Sequence, residues 1–90
     1  MSAMAQAQKK KAVAYCQEAE AMLAKKGWFS SSRERNQEDG AELYMQAANA
    51  YKVGGLNQEA GEMYVLAGKI YRDSVGNPNE AAKCYSQAGT

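Results

Sequence analysis

The sequence predicts an all-α chain, four helices laid as antiparallel pairs in a right-handed superhelix. Three observations carry that expectation. The composition is rich in Ala, Glu, Gln and Lys and contains one proline, which favours helix over strand. Apolar residues recur at spacings of three and four along most of the chain, the period of one helix face. A motif of Ala and Tyr returns three times, at steps of 20 and then 21 residues, one helix plus a turn each time.

Residues 4–24 read as the first helix, with Ala12, Tyr15, Cys16, Ala19, Met22 and Leu23 on one face and Lys10, Gln17 and Lys25 opposite. Gly27, behind two lysines, supplies its stop. Residues 28–35 are expected to form a loop, in which Ser31 and Glu34 have capping-box spacing. The second helix is expected from about Arg35 to Val53, with Ala41, Tyr44, Ala47, Ala48 and Tyr51 facing inward. Leu43 and Ala50 give it a second apolar edge, which implies neighbours on two sides. Gly54-Gly55 ends it, and Asn57 is placed to cap a third helix over about 58–73. That helix turns Ala60, Met63, Tyr64, Ala67, Ile70 and Tyr71 to one side. Asn77-Pro78-Asn79-Glu80 combines an N-cap, a proline at the first helical position and a glutamate at the third, a strong helix start. The fourth helix carries Ala81, Cys84, Tyr85 and Ala88.

The repeats are GAELYMQAANAYK (40–52), AGEMYVLAGKIYR (60–72) and AAKCYSQAG (81–89). Tyr44, Tyr64 and Tyr85 correspond, as do Ala47, Ala67 and Ala88. Two helices make a unit of 41 residues, a tetratricopeptide-like α-solenoid with a unit longer than the usual length of about 34. Small residues let neighbouring helices approach and tyrosines fill the space between them. Such units need stacked neighbours to bury both faces. The apolar face of the last helix, with Tyr85 and Ala88, is therefore expected to meet further repeats. On this reading residues 1–90 are the N-terminal part of a longer repeat domain.

Composition also sets aside several functions. Eleven basic against ten acidic residues give no field that would draw nucleic acid. No apolar run is long enough to span a bilayer, and the N-terminus has no secretory core. There is no histidine, and Cys16 and Cys84 lack metal-site spacing. No phosphate loop or convergent carboxylate pair appears, so neither catalysis nor a cofactor is expected. Two free thiols suit a reducing, cytoplasmic setting.

Three motifs in order, "QAANAYK", "EAGEMY" and "EAAKCY", follow an EAE helix and an aromatic pair before serine. Over residues 17–89 this resembles the N-terminal third of the soluble NSF attachment proteins of alpha-SNAP type. The resemblance implies a non-catalytic adaptor of vesicle trafficking. Such adaptors lie along the four-helix SNARE bundle and recruit the NSF-type AAA ATPase that takes it apart. It also implies that Trp28 and Phe29, in the loop between the first two helices, contact the cytosolic face of a membrane. The loop is shorter here, WFSSS running directly into RERNQED. The C-terminal helices that stimulate the ATPase in the family are absent from this sequence, so this chain alone is not expected to activate it.

The loop residues support that role independently. Trp28 and Phe29 are the one tryptophan and the one phenylalanine of the chain, and such rings favour the membrane–water interface. Two of them supply about 4 kcal/mol, only millimolar affinity. Lys25, Lys26 and Arg33 flank the pair, each adding up to about 1 kcal/mol near an anionic leaflet. The membrane-contact segment is therefore expected over 25–35. Lys52, Lys69 and Arg72 are the candidate cations for acidic SNARE surface, and Lys9 to Lys11, spread around the helix, read as solvation. The alternative function is a tetratricopeptide-like scaffold that holds a short peptide of a protein partner.

Overall fold

The structure, a computed structural model, describes residues 2–24 and 30–89, and of residues 30–33 the backbone alone. It contains α1 (Ala3–Ala24), α2 (Ser30–Val53), α3 (Asn57–Ile70), a π-helical turn (Tyr71–Val75) and α4 (Pro78–Ala88), with no strand among the described residues. Each helix packs chiefly on the helix before and after it in the chain. The Cα positions fill 45 × 24 × 11 Å, a slab about one helix thick at its thinnest. The radius of gyration, 13.2 Å, exceeds the roughly 12 Å of a compact domain this long. The expected α-solenoid of antiparallel helix pairs is what these contacts build.

Alanine and tyrosine make the interior. Ala5, Ala12 and Ala19 are the buried residues of α1, spaced by seven. Tyr15, Cys16, Met22 and Leu23 are half-buried beside them. In α2, α3 and the π-helical turn, Ala41, Ala47, Ala48 and Ala67 have no exposed surface, while Tyr44, Tyr51, Tyr64 and Tyr71 fill the spaces between helices. Tyr85, expected in the core, is half-buried instead, with its hydroxyl sealed and without a hydrogen-bond partner. Cys84 is fully buried; Cys16, half-buried, donates from Sγ to Met63 Sδ at 3.3 Å and so ties α1 to α3. Burial, reinforced by Glu20 and Glu80 respectively, raises both thiol pKa values, which makes them packing residues rather than nucleophiles.

The repeat step is written into the turns. At the end of α2, Gly55 takes a φ of 80°. Gly55 N–H donates to Lys52 carbonyl at 3.0 Å and Leu56 N–H to Tyr51 carbonyl at 2.8 Å, the paired bonds of a Schellman stop. After α3 the same device recurs at Gly76, φ 73°, with Asn77 N–H donating to Tyr71 carbonyl at 2.8 Å. Tyr51 and Tyr71 are equivalent, but the second closing bond spans one residue more. The π-helical turn absorbs that residue, which is why the second repeat step is 21 and not 20.

Three boundaries differ from expectation. The backbone of α2 is helical from Ser30, five residues before Arg35, so Ser31 is not its boundary residue. Neither glycine nor proline stands between Trp28 and Asp39, and good helix formers carry the helix upstream. Asn57 does not cap α3. The N-cap is Leu56, whose side chain makes no capping bond, because the Gly55 turn fixes the boundary one residue earlier. The expected third helix ends at Ile70 and passes into the π turn. The fourth start is as expected: the Asn77 side chain accepts from Glu80 N–H at 3.2 Å, with Pro78 opening α4.

The central requirement of this packing is small residues at the helix crossings. Replacing Ala67, which has no exposed surface, by leucine is expected to cost about 1–3 kcal/mol through overpacking. A fall in the urea midpoint with an unchanged m-value checks this; an unaltered midpoint contradicts it.

Candidate membrane and partner surfaces

Helix α1 ends at Ala24 and the backbone of α2 begins at Ser30, so the expected membrane-contact segment falls between the two helices in sequence. Lys25, Lys26, Trp28 and Phe29 lie outside the described residues, and Arg33 enters only through its helical backbone in the first turn of α2. The flanks are well defined. Leu23, in the last turn of α1, seats against α2 at Gly40, where an added methyl would stand 2.6 Å from Leu23 Cδ2. Leu23 in this position needs the bare backbone of Gly40, so the pair packs α1 closely on α2.

Lys52, Lys69 and Arg72 are all exposed, but they do not converge. Helices α2 and α3 run antiparallel: Asn49 pairs with Tyr64, and Glu38 and Glu42 lie within electrostatic reach of Tyr71. Lys52 therefore stands beside the start of α3, while Lys69 is twelve residues further along it, about 18 Å away by helix rise. Arg72 follows in the π turn. Its Nε and Nη2 donate to the two carboxylate oxygens of Asp73 at 2.8 and 3.0 Å. This bidentate bond raises the Arg72 pKa and lowers that of Asp73, with Lys69 a further influence on Asp73. Arg72 is thus a cation already partnered, which sequence spacing did not reveal.

Sequence reasoning also missed a groove of mixed polar and apolar lining between α1 and α2. It has a volume of about 300 Å³ and is lined by Gln8, Lys11, Tyr15, Gln46, Asn49, Ala50 and Val53. Lys11 Nζ lies 6.0 Å from the centre of the Tyr15 ring, the outer limit of a cation–π contact. Gln46 and Asn49 hold exposed positions three residues apart, a spacing that signals a shared face but was overshadowed by the apolar pattern.

The comparisons with known proteins follow this architecture. Residues 10–90 match the family model described as soluble NSF attachment protein, SNAP. The chain belongs to the soluble NSF attachment protein family. Over 75 residues it is 39% identical to the probable vesicular-fusion protein sec17 homolog of Neurospora crassa, covering 80% of this chain and 26% of that protein. The chain thus spans about a quarter of the length of that relative. No solved structure matches it significantly. For a SNAP family chain the helical slab and the helix-flanked segment 25–29 are the features to be explained. No helix among the described residues is long and apolar enough to cross a membrane.

The buried tyrosines give this surface a pH limit. Burial, followed by Glu42, Cys84, Glu80 and Glu38, pushes the Tyr71 pKa from 10.0 up to about 12. Burial also raises Tyr44, Tyr51 and Tyr64. Below pH 10 both folded and unfolded chains keep the Tyr71 proton, and its contribution to stability is fully present. Between pH 10 and 12 the unfolded chain alone ionises there, so stability falls as pH rises. The urea midpoint is expected to drop across this window, and to drop less in Tyr71→Phe. An equal drop in the variant would show that Tyr71 is not a source of the effect.

Proposed function

We propose that the chain is the N-terminal part of a non-catalytic adaptor of vesicle trafficking. It binds SNARE bundles through its broad helical side and touches the cytosolic face of a membrane through residues 25–35. It acts as a peripheral protein, and recruitment of an NSF-type AAA ATPase falls to parts of the adaptor not in this chain. The observation that carries this reading is the family match over residues 10–90. The vesicular-fusion name of the Neurospora relative agrees with it.

The physical arrangement supports the division of labour. Residues 25–29 join the end of α1 to the start of α2, two helices that pack against each other. Trp28 and Phe29 give weak interfacial affinity, and Lys25, Lys26 and Arg33 add salt-sensitive attraction to anionic lipid. Weak single contacts become strong when several copies sit on one bundle, because tethering raises avidity by roughly 100-fold. Lys52 and Lys69 stand far enough apart to meet a long coiled partner at separate points. Arg72 contributes only if Asp73 releases it.

Co-sedimentation with vesicles containing phosphatidylserine tests the membrane half. The wild-type chain is expected to pellet with such vesicles and to be released by salt. Trp28→Ser with Phe29→Ser is expected to reduce binding by about tenfold or more. Equal binding of the double variant, with its helicity intact, would remove the loop from the account.

A further inference from the structure

We infer that the groove between α1 and α2 is a second interaction surface, one that holds an extended acidic segment of a partner protein. It is distinct from the lipid-contact segment and from the cations Lys69 and Arg72, and shares only Lys52 with the proposed SNARE-facing side. Its chemistry is unusual for this chain. The groove sets Gln8, Gln46, Asn49 and Lys11 around an apolar floor of Tyr15, Ala50 and Val53. A smaller hollow beside it adds Lys52 and Asn57. The two adjoin, because Asn49 of the first accepts a hydrogen bond from the hydroxyl of Tyr64 of the second. Carboxylates number ten against eleven cations in the whole chain, yet neither lining contains one.

That combination selects its occupant. A carboxamide side chain presents both a donor and an acceptor, which complements the alternating N–H and C=O groups of a peptide backbone. A helical partner has spent those groups internally, so an extended one is required. Tyr64 holds the Asn49 carbonyl oxygen, which leaves the two N–H groups of Asn49 as its donors at the groove. Gln46 and Val53, seven residues apart on α2, bracket about 10 Å by helix rise, the length of about three extended residues. Lys11 and Lys52 supply positive charge and neither lining holds a carboxylate, which favours glutamate or aspartate in the bound segment. Two lysines are too few to bind a polyanion such as nucleic acid by charge alone.

The test is fluorescence anisotropy with the 90-residue chain and three capped, fluorescein-labelled peptides. One carries three central glutamates between Gly-Ser flanks, one carries lysines there, and one repeats the glutamates with methylated backbone nitrogens. The glutamate peptide is expected to bind about tenfold more tightly than the lysine peptide. Backbone methylation, or Gln8→Ala with Gln46→Ala, is expected to weaken it about fivefold by removing hydrogen bonds. Lys11→Ala should weaken it about threefold and flatten its salt dependence. Gln46 and Lys11 are exposed, so these variants are expected to fold, with far-ultraviolet circular dichroism as the check. Equal binding of glutamate and lysine peptides would overturn the proposal. So would full affinity of the methylated peptide, or of the Gln8→Ala, Gln46→Ala variant.

Discussion

The contact between surface-free alanines and interleaved tyrosines is the constraint on which the rest of this structure depends. Ala12, Ala19, Ala41, Ala47, Ala48 and Ala67 have no exposed surface, and Tyr44, Tyr51, Tyr64 and Tyr71 are nearly as buried. A methyl group at each crossing lets helix axes close; the long flat ring of a tyrosine then reaches across to the next helix. Two core clusters result, joined where Cys16 and Met63 pack against both. No helix gathers the others around itself, as in a bundle. The outcome is a slab with two broad faces and an end, a shape that suits contact along a partner better than enclosure of a small ligand.

Stacking of this kind is tolerant in one direction and strict in another. The turns tolerate a change of length, since the extra residue after Tyr71 is taken up by the π-helical turn and the left-handed Gly76 still delivers Asn77 to its capping position. The crossings do not tolerate a change of volume. At Gly40 the bare backbone gives Leu23 of α1 its seat against α2.

Most of the fold was legible because the signals were local or periodic. The Ala–Tyr repeat marked three helices and their faces, apolar spacing marked the first, and Asn77-Pro78 with Glu80 marked a helix start that the structure reproduces. The start of α2 was not legible because Ser30 to Asp39 is polar throughout and offers no apolar period. Asn57 was misread as a cap because the turn before it is governed by backbone bonds from Gly55 and Leu56, not by a side chain. The candidate site was less legible still. Charge can be read from sequence, but the separation of Lys52 from Lys69 follows from antiparallel packing. The neutralisation of Arg72 by Asp73 depends on rotamers in a π turn. The groove of Gln8, Gln46 and Asn49 is assembled from two helices, and single-helix periodicity does not show it.

The account's central claim is that a rigid helical slab offers an apolar tip to lipid. Trp28 is the one tryptophan of the chain, so its fluorescence reports on that tip alone. The direct measurement is Trp28 emission on titration with anionic vesicles carrying lipids brominated near the headgroup, alongside far-ultraviolet circular dichroism. The account predicts solvent-exposed emission in buffer, then a blue shift and strong quenching on the vesicles, with helicity unchanged. Emission already blue-shifted in buffer and indifferent to brominated lipid would mean that the ring is packed against the slab, and would contradict the account.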